Sequence, residues 1–248
     1  MKAYWRLAAA GAIAYLLILL VTFPAERAGK WLEQSVDGLY LQSVSGTVFS
    51  GKAQRLVIKG LGLGPVNWSL RPVTLLLGRL EYHVTLTDPA FQGEGIAGMG
   101  LGGHVYLDGL RAVLLPDQLV NHFSPLPIQS SGSVTLLIES MKIVDGFPRE
   151  FSGKMDWADA HIIEPVELSL GHVEATLHSE ADTLVGRVSG SGDTALTGDF
   201  SLTPAGDYRL NLLLTPGPAV SPDIVDGLKS YGQARSGGAY LITDSGRL

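Results

Sequence analysis

Leu80-Glu81-Tyr82-His83-Val84-Thr85-Leu86 is the stretch that decides the fold, because apolar and polar residues alternate along it one by one. Successive side chains of a β-strand point to opposite faces, so the pattern predicts a strand with one buried face. The same alternation returns at residues 134–138, 196–202 and 208–214. A turn-forming pair, Asp145-Gly146, separates two such runs. The sequence therefore predicts a mainly β protein.

Glycine accounts for 31 of the 248 residues, clearly above its usual share of about 7%. Many of these glycines fall inside or between predicted strands, where glycine marks bulges, bends or close backbone approach. Ser-Gly pairs at residues 45–46, 131–132 and 152–153 each open a predicted strand, which indicates a weak internal repeat. We therefore expect a strongly curved antiparallel β-sheet built from repeated β units.

Helices are expected to be few and short after residue 24. The clearest begins at Ser221-Pro222-Asp223, which offers an N-cap serine, a proline at the first position and an acidic first turn. We expect that helix to run through Leu228 and to end at Gly232.

Residues 7–23 carry no charge and predict one transmembrane helix. Lys2 and Arg6 precede this stretch, and the charges that follow it cancel, so the positive-inside rule places the N-terminus in the cytoplasm. A cleaved signal peptide is the alternative. The bulky Phe23 and the following Pro24 are poor residues for a cleavage site, which favours an uncleaved anchor.

Composition excludes several classes of function. The chain has no cysteine, so disulfide frameworks, thiolate metal sites and a cysteine nucleophile are excluded. Its net charge is −6, and it lacks the basic stripe of a nucleic-acid-binding protein. No hydrolase, zinc-protease or P-loop motif occurs in the sequence.

Four groups of residues were considered as sites. Gly93-Glu94-Gly95-Ile96-Ala97-Gly98 matches a dinucleotide fingerprint, but the glycine-rich continuation opposes the helix that this chemistry needs, so we predict a flexible loop. His172, Glu174 and His178 share a strand face and offer zinc ligands, although a solvated face also explains them. The carboxylates Asp156, Asp159 and Glu164 could form a sugar site. We predict that the tryptophans Trp31, Trp68 and Trp157 are packing residues. We predict no catalytic, cofactor or metal residues.

Several short stretches resemble a known family, the type II secretion system protein N family (general secretion pathway protein N). After the predicted membrane span they are Val44-Ser45-Gly46-Thr47-Val48-Phe49-Ser50-Gly51-Lys52-Ala53, Leu63-Gly64-Pro65-Val66-Asn67-Trp68, Phe151-Ser152-Gly153-Lys154-Met155-Asp156-Trp157 and Gly237-Gly238-Ala239-Tyr240. The resemblance is nearly end to end. Phe49 is a departure, because many members have tryptophan there.

The resemblance implies a bitopic protein of the bacterial inner membrane that is an accessory, non-enzymatic component of the type II secretion system. We expect a cytoplasmic segment at 1–6, a transmembrane helix at 7–23, a juxtamembrane helix or linker at 24–43 and a periplasmic β-rich domain at 44–248. Expected partners are other secretion components, either the inner-membrane platform or the outer-membrane secretin, and no nucleic acid. A periplasmic carrier or bridge for lipid or another hydrophobic ligand is the alternative function.

Overall fold

The computed structural model describes residue 11 and residues 22–117, 129–164, 167–218 and 220–247. The chain divides into two compact units, Met1–Asp88 and Pro89–Leu248. Both are built from antiparallel strands, which confirms the mainly β prediction.

From residue 22 onward, the first unit contains two short helices and five strands. In chain order they are α1 (Ala25–Ser35), β1 (Leu39–Gln42), β2 (Ser45–Gly46), β3 (Ser50–Ile58), β4 (Leu61–Leu70), α2 (Pro72–Leu75) and β5 (Leu80–Asp88). The strand order is β1-β3-β4-β5, and β2 also pairs with β3.

The complete elements among the described residues of the second unit are ten strands, one α-helix and a 3-10 turn at Ser236–Gly238. The strands are β6 (Phe91–Met99), β7 (Val105–Leu114), β8 (Gln129–Val144), β9 (Phe147–Glu164), β10 (Leu168–Glu180), β11 (Thr183–Ser191), β12 (Thr194–Leu202), β13 (Asp207–Pro216), β14 (Gln233–Ala234) and β15 (Tyr240–Arg247), with helix α3 (Pro222–Tyr231) between β13 and β14. Their order follows the chain from β6 to β13 and then continues β15-β14.

Helix α3 confirms the strongest helix prediction. It begins at Pro222 after the N-cap residue Ser221, and Asp223 lies in its first turn. It ends where the Gly232 N–H donates to the Leu228 carbonyl at 2.8 Å. The side chain of Ser221 makes no capping hydrogen bond, and Gly232 is extended with φ −123°, so the proline at the first position is the predicted signal that the structure retains most directly.

The stretch at residues 80–86 forms most of β5, as predicted, but its burial differs from simple alternation. Leu80 is 38% exposed, whereas Glu81 is only 6% exposed. The Glu81 carboxylate pairs with the Arg71 guanidinium at 2.8 Å, and this partner compensates the burial of its charge.

Among the described residues, no helix is both long and apolar enough to cross a membrane. The predicted span at residues 7–23 falls outside those residues except at positions 11, 22 and 23. The span therefore stays a prediction from sequence.

One row of directly paired residues forms the core of the second unit and crosses nine strands. Its members are Phe91, Leu114, Val134, Trp157, Val173, Gly190, Leu196, Leu214 and Tyr240. Most of them belong to a single buried cluster, which also includes Leu228 of helix α3. The helix therefore covers part of this apolar face with side chains of the chain itself.

A glycine beside a tryptophan shapes the sheet in each unit. In the second unit Gly132 has φ +108°, and the Trp157 indole N–H donates to the Ser131 carbonyl at 2.9 Å. In the first unit Gly46 has φ +93°, and the Trp68 indole N–H donates to the Thr47 carbonyl at 3.2 Å. Two of the three predicted Ser-Gly repeats therefore share a positive glycine φ, but the tryptophan bonds to the residue before Gly132 and to the residue after Gly46.

The third Ser-Gly pair differs from the other two. Gly153 lies in the interior of β9, between the strand ends Phe147 and Glu164. It therefore does not open a strand as predicted.

Replacing Gly132 with alanine should destabilise the protein by about 3 kcal/mol or more, because left-handed backbone strain and overpacking add together. A Cβ atom at this position would lie 2.6 Å from the Asp159 carbonyl oxygen and 2.8 Å from the Trp157 indole nitrogen. Gly146→Ala is the matched control, because Gly146 has φ +76° but nothing within 4 Å of the added Cβ. We expect the control to cost only about 1 kcal/mol. Urea unfolding of both variants measures the difference, and equal costs would contradict the packing argument.

Candidate functional site

The open side of strand β15 is the clearest place for a partner strand. β15 pairs with β13 from Tyr240 to Arg247, whereas β14 pairs only with Tyr240 and Leu241. Along residues 242–247, no strand pairs with the outer side among the residues that the structure describes. An edge of this kind presents backbone N–H and C=O groups that can accept another strand.

Two contacts attach the exposed end of β15 to the preceding hairpin. The Tyr208 hydroxyl donates to the Asp244 carboxylate at 3.0 Å, and the Arg247 guanidinium donates to the Ala205 carbonyl at 2.9 Å. The hydrogen bond to Asp244 is the main reason that the pKa of Tyr208 is raised above its ordinary value. These contacts keep the edge extended without covering its backbone.

Strand β1 is a contrasting edge, because helix α1 protects it. β1 pairs with β3 on one side. Glu33 of α1 accepts a hydrogen bond from the backbone N–H of Leu41, and Leu41 and Val44 side chains lie 3.6 Å from where a Cβ atom on Gly29 would be. The Glu33 carboxylate thus accepts a hydrogen bond from a backbone N–H of β1 that a partner strand would need.

A shallow polar groove of about 560 Å³ lies on the first unit. The side chains that line it include Lys52, Asn67, Ser69, His83 and Thr85, and Trp68 borders it. The Trp68 indole N–H is already used by the Thr47 carbonyl. Trp68 therefore has a structural role, as predicted.

The other two tryptophans differ from each other. Trp157 is buried in the core, as predicted, whereas Trp31 is exposed on α1. The prediction that Trp31 is a packing residue was wrong. The sequence placed it close after the membrane stretch but could not give the face of the helix on which it lies.

A histidine and two carboxylates meet on the exposed side of β9 and β10. His172 Nε2 lies 2.9 Å from Asp156 Oδ2 and 3.2 Å from Glu174 Oε1. Asp156 and Glu174 are direct cross-strand partners, and His172 lies within a register shift between Gly171 and Val173. The bulge turns the imidazole toward both acids.

The composition of this cluster differs from the sequence-based zinc hypothesis. His172 and Glu174 are present, but His178 pairs with Ser152 farther along the strand. Asp156 takes its place, and it is the residue that sequence reasoning missed, since strand register was needed to find it. The three groups have the nitrogen and oxygen donors of a zinc site, but all are about half exposed and already bonded to one another. We interpret them as a surface ion-pair network.

Two of the carboxylates considered as a sugar site, Asp156 and Glu164, are too far apart to form a catalytic pair. Asp156 and Glu164 lie on the same strand, β9, eight positions apart and hence separated by roughly 26 Å. Paired carboxylates of glycosidases are about 5–10 Å apart. Asp159 has φ +51° at an irregular position of the strand.

The glycine-rich stretch at residues 93–98 lies inside strand β6, so the prediction of a flexible loop was wrong. A Cβ atom on Gly95 would lie 2.7 Å from the Leu110 Cα atom. Glycine is needed here for close approach of β7. The next element is a strand and not a helix, so the pyrophosphate-binding geometry is missing at this place.

Comparison with known proteins identifies the family. The model of the family "Type II secretion system (T2SS), protein N" matches residues 37–243. The chain belongs to this family. It is thus a component of the type II secretion system, and the family is described by its place in that system and not by an enzymatic reaction.

Relatives named type II secretion system protein N are similar along most of their length. The Vibrio cholerae protein is 26% identical over 221 residues, which cover 86% of each chain. The Aeromonas hydrophila protein is 27% identical over 254 residues and all of both chains. The Klebsiella pneumoniae protein is 28% identical over 218 residues, 83% of this chain and 81% of the relative. No solved structure matches the chain.

Replacing Asp244 with asparagine should lower the pKa of Tyr208 toward its ordinary value of 10.0, because the charged acceptor that favours the neutral phenol is removed. Since the folded state raises this pKa, the stabilisation is complete below pH 10 and is lost as the pH rises above it. Ultraviolet titration of the variant and the parent protein measures the shift, and Tyr208→Phe identifies the signal. An unchanged titration would show that the hydrogen bond is not formed in solution.

Proposed function

We propose that this chain is an accessory structural component of the type II secretion system that works through surface contacts and without enzymatic activity. Its family membership supports the assignment to the secretion system. The open edge of β15 is the observation that carries the proposed mode of action. We propose no cofactor, metal or catalytic residue.

The proposed topology is a single pass through the inner membrane. Residues 1–6 are cytoplasmic, 7–23 span the membrane, 24–43 form the juxtamembrane segment and 44–248 lie in the periplasm. The uncharged stretch and the basic residues before it support this arrangement. In the juxtamembrane segment, helix α1 and strand β1 provide ordered structure.

Proposed partners are other components of the same system, either the inner-membrane platform or the outer-membrane secretin. Strand addition at β15 would give affinity through backbone hydrogen bonds, while the alternating side chains select the partner. The positive φ of both Gly46 and Gly132 supports the further proposal that the sheets consist of repeated β units with marked bends.

The alternative function as a lipid carrier has less support. A carrier needs a continuous apolar face that the protein does not fill itself. In the second unit, Leu228 of helix α3 is 3% exposed and belongs to the cluster on that face, and Ile224 and Val225 pack against it. This part of the face is occupied by the protein.

A photo-crosslinking residue at Ser245 should capture another secretion component in cells, because Ser245 is exposed on the open edge of β15. Ser189 is the matched control, since it is an exposed serine on β11, which is paired on both sides. We expect a product at Ser245 that disappears in cells lacking the partner. Similar products at both positions would contradict strand addition at this edge.

Alkaline phosphatase fused after residue 36 should be active, because the proposed topology places that residue in the periplasm. A fusion after residue 6 should be inactive. The mass of the purified protein should include the N-terminal stretch if the anchor is not cleaved. Loss of that stretch would instead support the signal-peptide alternative.

A further inference from the structure

An exposed apolar loop connects β4 to β5 in the first unit. Its sequence, residues 71–80, is Arg-Pro-Val-Thr-Leu-Leu-Leu-Gly-Arg-Leu. Leu76 is 88% exposed and Leu77 is 68% exposed. Val73, Leu75 and Leu80 are also exposed, so the apolar side chains form a group and not a single surface leucine.

Hydrogen bonds hold this loop in a defined turn. The Leu77 and Arg79 N–H groups both donate to the Thr74 carbonyl at 3.0 Å, and the Thr74 hydroxyl donates to the Arg71 carbonyl at 2.7 Å. The Arg71–Glu81 ion pair attaches the start of the loop to β5. The leucines therefore point outward from an ordered backbone.

The charges around the leucines favour an anionic bilayer as the surface that covers them. Arg79 follows the leucines and supplies the positive charge, because Arg71 on their other side is already paired with Glu81. Leucines can enter the acyl-chain boundary while the Arg79 side chain reaches phosphate groups at the lipid headgroups.

The position of the loop within the unit leads to the same conclusion. The Val48 N–H donates to the carbonyl of Phe23, the last residue of the predicted membrane span, at 3.1 Å. The Leu70 N–H, immediately before the loop, donates to the Phe49 carbonyl at 2.6 Å. Neighbouring strands are about 5 Å apart, so the end of the span and the start of the loop are separated by roughly 10 Å at the same end of the sheet.

We propose that the loop at residues 71–80 inserts its leucines into the leaflet from which the anchor emerges and forms a second membrane contact. This inference rests on the proposed membrane anchoring. A single helix leaves the attached unit free to rotate about the membrane normal and to tilt. A second contact next to the helix limits the tilt and defines which end of the β3–β4 hairpin faces the membrane.

The inference can be tested with single introduced cysteines, because the chain contains none. Leu77→Cys reports on the loop, and Tyr40→Cys is the matched control, since the two side chains are 68% and 66% exposed. Tyr40 pairs with Val57 near the opposite end of β3, about 23 Å from Ser50 along that strand. Leu17→Cys reports on the anchor itself.

Each full-length variant is labelled with an environment-sensitive fluorophore and reconstituted into vesicles of phosphatidylethanolamine and phosphatidylglycerol. We expect lipid-attached doxyl quenchers to remove most of the fluorescence at positions 17 and 77 but not at position 40. Iodide should quench the label at position 40 and spare the one at position 77. Circular dichroism verifies that the variants keep the β fold.

The three labels separate the possible failures. If position 17 is quenched by the lipid probe while position 77 behaves like position 40, the anchor is correct and the loop inference is overturned. Protection of position 77 only in cells, and not in vesicles, would assign the loop to a protein partner and would also overturn it. If position 17 is not quenched, the proposed anchoring fails, and the loop inference fails with it.

Discussion

Strand register is the constraint on which the second unit depends. The nine residues from Phe91 to Tyr240 are cross-strand partners one after another, so each strand has to align before the buried row is complete. A slip by one position would turn every side chain of a strand to the other face. Gly190 in the middle lets its neighbours approach, since a Cβ atom there would lie 3.0 Å from Val173 Cγ2. Because the row places one residue of each strand side by side, a small number of side chains forms a continuous buried core across nine strands.

The sequence predicted the strands well because their information is local. Alternation identified β5, β8, β12 and β13, and capping residues identified α3. The pairing of residues that are distant in the sequence could not be predicted from such local patterns. Asp156 joins His172 only through the register of β9 against β10, and Glu81 is buried only because Arg71 lies opposite. The glycines of β6 were misread because glycine permits a loop and also close strand packing, and only the neighbouring strand distinguishes the two.

The described surface of the protein offers two chemically different kinds of contact. The exposed polar groups around His172 bond to one another. Exposed apolar side chains are grouped at the loop between β4 and β5, and backbone groups without a partner strand among the described residues lie along the outer side of β15. The first suits a lipid surface and the second suits a polypeptide strand, so the two kinds of contact are chemically separate.

The unequal protection of the two sheet edges has a consequence for self-association. Continuous growth by edge pairing requires two open edges on each molecule, one to receive a strand and one to offer the next. Glu33 occupies a donor of β1, whereas β15 is open along residues 242–247. If one edge of the sheet is protected, a partner strand can add only at the other edge, and edge pairing does not continue to a further molecule. Such a protein can join a larger assembly without polymerising through its own sheet edges.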